Sequence, residues 1–160
     1  MIELTENTGA NGFYGHRIYA AFPHLVNSEY ILFLDEDNWY EPNHVETLIQ
    51  TIEEKQLDFA YSLRQIYSPD RRFLCNDDCE SLGQWPIWFT HDDPQYHMDT
   101  SSYCFRREFL TQCCQIWNFG WGGDRRFFNA VRQHTKHDIS GKRTLCYRLD
   151  GNPNSVTEDF

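Results

Sequence analysis

Three consecutive acids, Asp35, Glu36 and Asp37, stand at the end of an apolar run in ILFLDEDNWYEPNHVETLIQ, residues 31–50. Carboxylates crowded at a strand end cost Coulomb energy, and Asp is depleted in strands, so something should offset the charge. In an extended segment residues i and i+2 face the same way, which predicts that Asp35 and Asp37 converge while Glu36 points away. Two hard oxygen donors suit Mg²⁺ or Mn²⁺, ions held by one or two carboxylates that fill their other positions with phosphate and water. The chemistry implied is a metal–diphosphate site. The alternative is a solvated acidic turn before a helix N-terminus, where acids are favoured by the dipole.

The elements around the acids are those of an α/β domain. Residues 7–12, NTGANG, form a loop with Asn and Gly placed for positive φ, and a helix is predicted over 13–25. The run 30–34, YILFL, reads as a strand buried on both faces. Pro42 suits a helix first turn, and Val45, Leu48, Ile49 and Ile52 give that helix an apolar stripe ending near Lys55. Strands are predicted at 57–63, 85–90, 100–105 and 144–149, and helices over 106–117 and from Asp124. A long irregular region, 67–83, lies between them. Alternating strands and helices place ligands beyond the carboxyl ends of the strands, where the three acids lie.

Bulk properties bound the remaining possibilities. A chain of 160 residues with 40% hydrophobic and 16% aromatic content predicts a single domain, 1–160, with a real core. A net charge of −10 argues against nucleic acid or an anionic membrane as partner. No apolar run is long enough for a transmembrane segment, and no secretion signal is visible. A cytoplasmic location with the six cysteines as free thiols is therefore expected; Cys75 and Cys79 have roughly metal-like spacing but no completing pair.

The blocks NTGANGFYGHR, EYILFLDEDNWYEPNHVETL, MDTSSYCFRREF and GWGGDRRFFNAV, in this order, resemble the family 2-like glycosyltransferases of the GT-A fold. The resemblance runs from Asn7 to about Tyr147 and is most specific in LDEDNWYEPNHVETL. It implies a mixed sheet flanked by helices, a nucleotide-sugar donor, a glycan or other hydroxyl acceptor, and a divalent cofactor, Mn²⁺ or Mg²⁺. It assigns Asp35 and Asp37 to the metal that bridges the donor diphosphate, with Asp37 the more direct ligand. It assigns Asp124, in GGDRR, to the catalytic base of an inverting displacement. Arg17, beside the Gly-rich loop, is placed to reach a phosphate, although a surface ion pair is the commoner fate of such an Arg. Arg125 and Arg126 are candidates for phosphate or for helix-face salt bridges, and Trp39 and Trp121 for sugar stacking or for packing. His134 and His137, where relatives sometimes supply a third metal ligand, read as exposed or structural. His91 and His97 bracket an acidic loop that reads as solvated.

One departure matters. The strand, helix and strand that hold the nucleotide base in a complete GT-A domain should precede NTGANG, and only six residues do. The expectation is a partial, N-terminally truncated domain, completed by a partner chain or a second copy as a homodimer, or inactive by itself. The rival to an enzyme is a non-catalytic binding or assembly module on the same scaffold.

Overall fold

A computed structural model of the chain describes residues 3–77 and 98–151. Within them, a six-stranded mixed sheet carries helices on both faces. Its strands are β1 (Tyr30–Leu32), β2 (Trp39–Tyr40), β3 (Phe59–Tyr67), β4 (Phe73–Asn76), β5 (Tyr103–Arg106) and β6 (His137–Arg148). The helices are α1 (His16–Ala21), α2 (His44–Lys55), α3 (Arg107–Cys113) and α4 (Gly123–Val131). The sheet order is β1-β5-β3-β6-β2, with β4 paired to β3. Only β3 and β6 run parallel; the other pairings are antiparallel. This is the GT-A-like mixed sheet flanked by helices that the sequence implies.

The period-2 alternation of the strands splits the core in two. Ile31, Phe33, Phe59, Tyr103 and Phe105 face α1, α3, the 3₁₀ turn Cys114–Trp117 and α4, where Tyr19, Leu110, Trp117, Phe127 and Phe128 complete a largely aromatic layer. Trp117 and Phe127 stack with ring centroids 3.5 Å apart, and Phe105 meets both edge-on. Ala60 and Cys104 face the other way, onto Leu48 and Ile52 of α2, with Tyr30 and Leu32 at the margin.

Several predicted elements are corrected. The first helix is only six residues, because Pro23 draws residues 22–24 into a 3₁₀ turn. The 30–34 strand is shorter and lies at the sheet edge; its faces are unequally covered, and Leu34 is exposed. The short β2 has too few residues to show any periodicity in the sequence. In α2 the buried face is His44, Leu48, Thr51 and Ile52, while Val45 is exposed. The strand predicted at 57–63 runs to Tyr67, and the last strand begins at His137 rather than 144. The irregular 67–83 region contains β4, hairpinned onto β3. The 85–90 strand, His91, His97 and Cys79 lie outside the described residues. No helix among the described residues is long and apolar enough to cross a membrane.

Candidate active site

The acids occupy the end of the sheet where β1 leaves and β5 enters. They do not continue the strand. Asn38 N–H donates to Asp35 C=O at 3.1 Å, closing a turn with Glu36 and Asp37 at its corner. A turn thus replaces the extended alternation expected for Asp35 and Asp37, and the charge of Asp37 still acts on Asp35. A turn relieves the crowding that an extended DED would impose, and the next strand, β2, can start two residues later.

Asp35 is held from three directions. Its Oδ1 accepts from Tyr19 Oη–H at 2.7 Å, and its backbone N–H donates to Ser101 Oγ at 3.2 Å. Asp99 lies close enough for its charge to act on Asp35. Burial, then the Asp99 charge, push the Asp35 carboxyl up to about 6, against the opposing hydrogen bond from Tyr19; the Asp37 charge adds to the rise. Asp37 is also raised, chiefly by desolvation, while Arg148 pulls it down.

Tyr19 ties Asp35 to α1. Its hydroxyl is raised far above the usual tyrosine value by burial first, then by Asp35, and further by Asp99 and Asp124. Asp124, on α4, lies on the same side of the sheet as Tyr19, although the two stand far apart in sequence. Two loops bring this about. The 7–15 loop turns through left-handed Asn11, Gly12, Tyr14 and Gly15. The 118–123 loop turns through Gly122, at φ 80°, into α4. Buried His16 joins them: its Nδ1 lies 3.1 Å from Phe119 C=O and 3.0 Å from Gly120 C=O. A Cβ on Gly123 would lie 2.6 Å from that same nitrogen, so only glycine fits there.

Sequence reasoning missed Asp99. It is buried, its Oδ2 accepts from Arg64 Nη1 at 2.8 Å, and its Oδ1 accepts from Ser101 N–H at 2.8 Å. Arg64, fully buried, also donates from Nε to Asp77. The signal was present in MDTSSYCF as an Asp followed by Thr-Ser-Ser, a capping pattern, but nothing in it announces a long-range Arg partner. Tyr40 Oη–H donates to Phe33 C=O at 2.6 Å and Ser101 C=O at 3.0 Å, tying the β1 exit to the same turn.

The other candidates disperse. Arg17 is exposed, with its guanidinium 3.4 Å from the Phe13 ring centroid and no carboxylate partner among the described residues. Arg125 lies over Trp121 at 4.9 Å and Arg126 over Phe119 at 4.5 Å. Trp39 packs against Tyr67 at 4.7 Å. His137 stacks on Phe59 at 4.8 Å, and His134 is exposed beside a cavity of about 490 Å³ that Leu57, Arg106 and Lys136 also line.

The donor set bears on whether a metal fits. Among the described residues no three His, Cys, Asp or Glu side chains are grouped to enclose an ion by themselves. The Asp35 carboxylate is oriented by the Tyr19 hydroxyl and lies beside the charge of Asp37. Two hard carboxylates with ligand positions left over fit an ion shared with a diphosphate rather than a closed protein site.

Comparisons with known proteins place the chain in a family. An uncharacterized protein of Haemophilus influenzae is 34% identical over 70 residues, which is 43% of this chain and 47% of that protein. The chain thus spans about half the length of the curated relative it matches. Glycosyl transferase family 2 matches residues 5–114. That stretch holds the 7–15 loop, the acidic turn and the Asp99 turn, and stops before Asp124. Because the match covers more than half of the sequence, the chain belongs to glycosyl transferase family 2.

Proposed function

We propose that the domain transfers a sugar from a nucleotide-sugar donor to a hydroxyl acceptor, with inversion at the anomeric carbon. The observation that supports this reading is the acidic turn at the β1 end, where Asp35 is held by Tyr19 Oη–H at 2.7 Å and by its own N–H on Ser101 Oγ at 3.2 Å. Asp35 and Asp37 would hold the cation, Mn²⁺ or Mg²⁺, and Arg17 would approach the diphosphate. When bound, the cation offsets charge building up on the departing nucleoside diphosphate. Asp124 would take the proton from the acceptor hydroxyl as its oxygen bonds to the anomeric carbon. The bond from that carbon to the diphosphate oxygen breaks on the opposite face, which inverts the centre.

The test is thermal stability with Mn²⁺ alone, then with Mn²⁺ plus UDP or GDP. A ligand that binds only the folded state raises the melting temperature. A metal-dependent nucleotide response, abolished in Asp37→Ala, supports the reading. No response to either nucleotide refutes it for this chain and favours the non-catalytic module.

A further inference from the structure

We propose that the acceptor is a saccharide carrying an acidic group, its ring laid on the exposed indole of Trp121 and its acid held by Arg126. This rests on the glycosyl-transfer reading and names the substrate class of its acceptor side. Asp124 opens the first turn of α4 between two cation–aromatic pairs, Arg125 over Trp121 and Arg126 over Phe119. With Arg125 against its ring, Trp121 still exposes 60% of its surface, and Phe119 exposes 43%. Sugar C–H faces stack well on an exposed indole.

Charge points to the rest of the ligand. The chain carries −10 overall, yet two adjacent guanidiniums stand at this rim. Arg126 is exposed, and its side chain rests on the Phe119 ring. No carboxylate pairs with it among the described residues. A guanidinium presented by a ring, with its donors uncommitted, is matched to a planar or tetrahedral oxyanion. The rim is also rigid. His16 pins the 118–123 loop through Phe119 and Gly120, and a Cβ on Gly120 would lie 3.3 Å from the Gly12 carbonyl oxygen of the facing loop. A platform fixed in this way loses little entropy when a ligand settles on it.

The experiment compares three rings that differ only at one carbon: methyl glucoside, methyl glucuronide and methyl glucoside 6-phosphate. Binding to the full chain is followed by ligand-observed NMR and indole fluorescence, without donor. One charge-assisted contact should make at least one acidic sugar bind about tenfold tighter than the glucoside. Which acid is preferred separates a carboxylate from a phosphate ligand. Arg126→Gln should erase the preference, and Trp121→Ala should weaken all three; both side chains are exposed, and unchanged melting temperatures confirm the fold. Equal binding of the three rings, a preference that survives Arg126→Gln, or no binding at all overturns the proposal. The Mn²⁺–nucleotide response is measured on the same samples. If it persists while the sugars fail, only the acceptor assignment falls; if it is absent while the sugars behave as expected, the glycosyl-transfer reading falls instead.

Discussion

Replacing Asp35 by asparagine should make the folded protein more stable while removing its metal-dependent nucleotide response. Asparagine keeps an oxygen to accept from Tyr19 Oη–H, so the hydrogen bond survives and only the charge is lost. The wild-type carboxyl rises from 3.8 to about 6, with burial the main cause and Asp99 next. Moving a pKa by one corresponds to about 1.4 kcal/mol, so the charged form costs the folded state up to about 3 kcal/mol. The sign follows from proton binding. Between pH 3.8 and about 6 the folded state holds the proton that the unfolded state has released, so stability falls as pH rises. The cost is absent below that window and complete above it. His44 works the other way: burial lowers its imidazole to about 4, so folding loses stability as pH drops from 6.5. The two trends overlap, which makes the difference between Asp35→Asn and wild type the informative quantity. In chelator, denaturant unfolding at pH 7.5 should show a gain approaching that bound, or roughly 5–10 °C in melting temperature. The gain should shrink towards zero as pH approaches 4. A variant less stable at pH 7.5, or an equal gain at pH 4.5 and 7.5, would refute the claim that a buried, uncompensated charge sits at this turn.

Three further outcomes are expected. Gly123→Ala drives a methyl group into the His16 ring and should cost about 1–3 kcal/mol, and much less in a His16→Ala background, as a double-mutant cycle of unfolding free energies would show. Arg64→Met strands the buried Asp77 and Asp99 and should destabilise by about 3–5 kcal/mol, whereas adding Asp77→Asn and Asp99→Asn should recover a large part, measured by denaturant unfolding. His44→Gln should flatten the fall in stability between pH 6.5 and 4, since Thr144 Oγ1, 2.8 Å from Nδ1, can still bond a side-chain amide; an unchanged acid limb would place the titrating group elsewhere.

Much of this architecture is written in local patterns. The 3.6-residue spacing of Leu48, Ile49 and Ile52 marks α2, and Gly122 followed by Gly123 marks the entry to α4. Positive φ at Asn11 and Gly12 follows from the residue types of NTGANG. What local pattern cannot carry is pairing. YILFL looks like a central strand because its neighbours supply the cover: Ile31 and Phe33 pack with Trp117 and Tyr103, while Leu32 sits against the α2 cluster. Nothing in those five residues says that β1 ends at the sheet edge. Val45 fits the stripe but loses its place to His44, because Tyr40 stacks on the imidazole at 3.7 Å and Thr144 satisfies Nδ1. The site divides in the same way. Asp35, Asp37 and Asp124 stand out by motif, whereas Tyr19, Asp99 and Arg64 acquire meaning only once distant segments of the chain have met.

That division explains how an acid can be kept ionisable at a strand tip. Asp35 receives no salt bridge among the described residues; its partners are a hydroxyl and, through its own N–H, the Ser101 oxygen. The buried cation of the network, Arg64, pairs with Asp77 and Asp99. Asp99 therefore holds the Ser101 turn in place while its residual charge still raises Asp35. A direct Arg–Asp35 pair would stabilise the fold but would also satisfy the carboxylate, and leave it little affinity for a metal ion. Routing the guanidinium to Asp99 instead fixes the position of Asp35 and leaves its charge to be answered by a ligand.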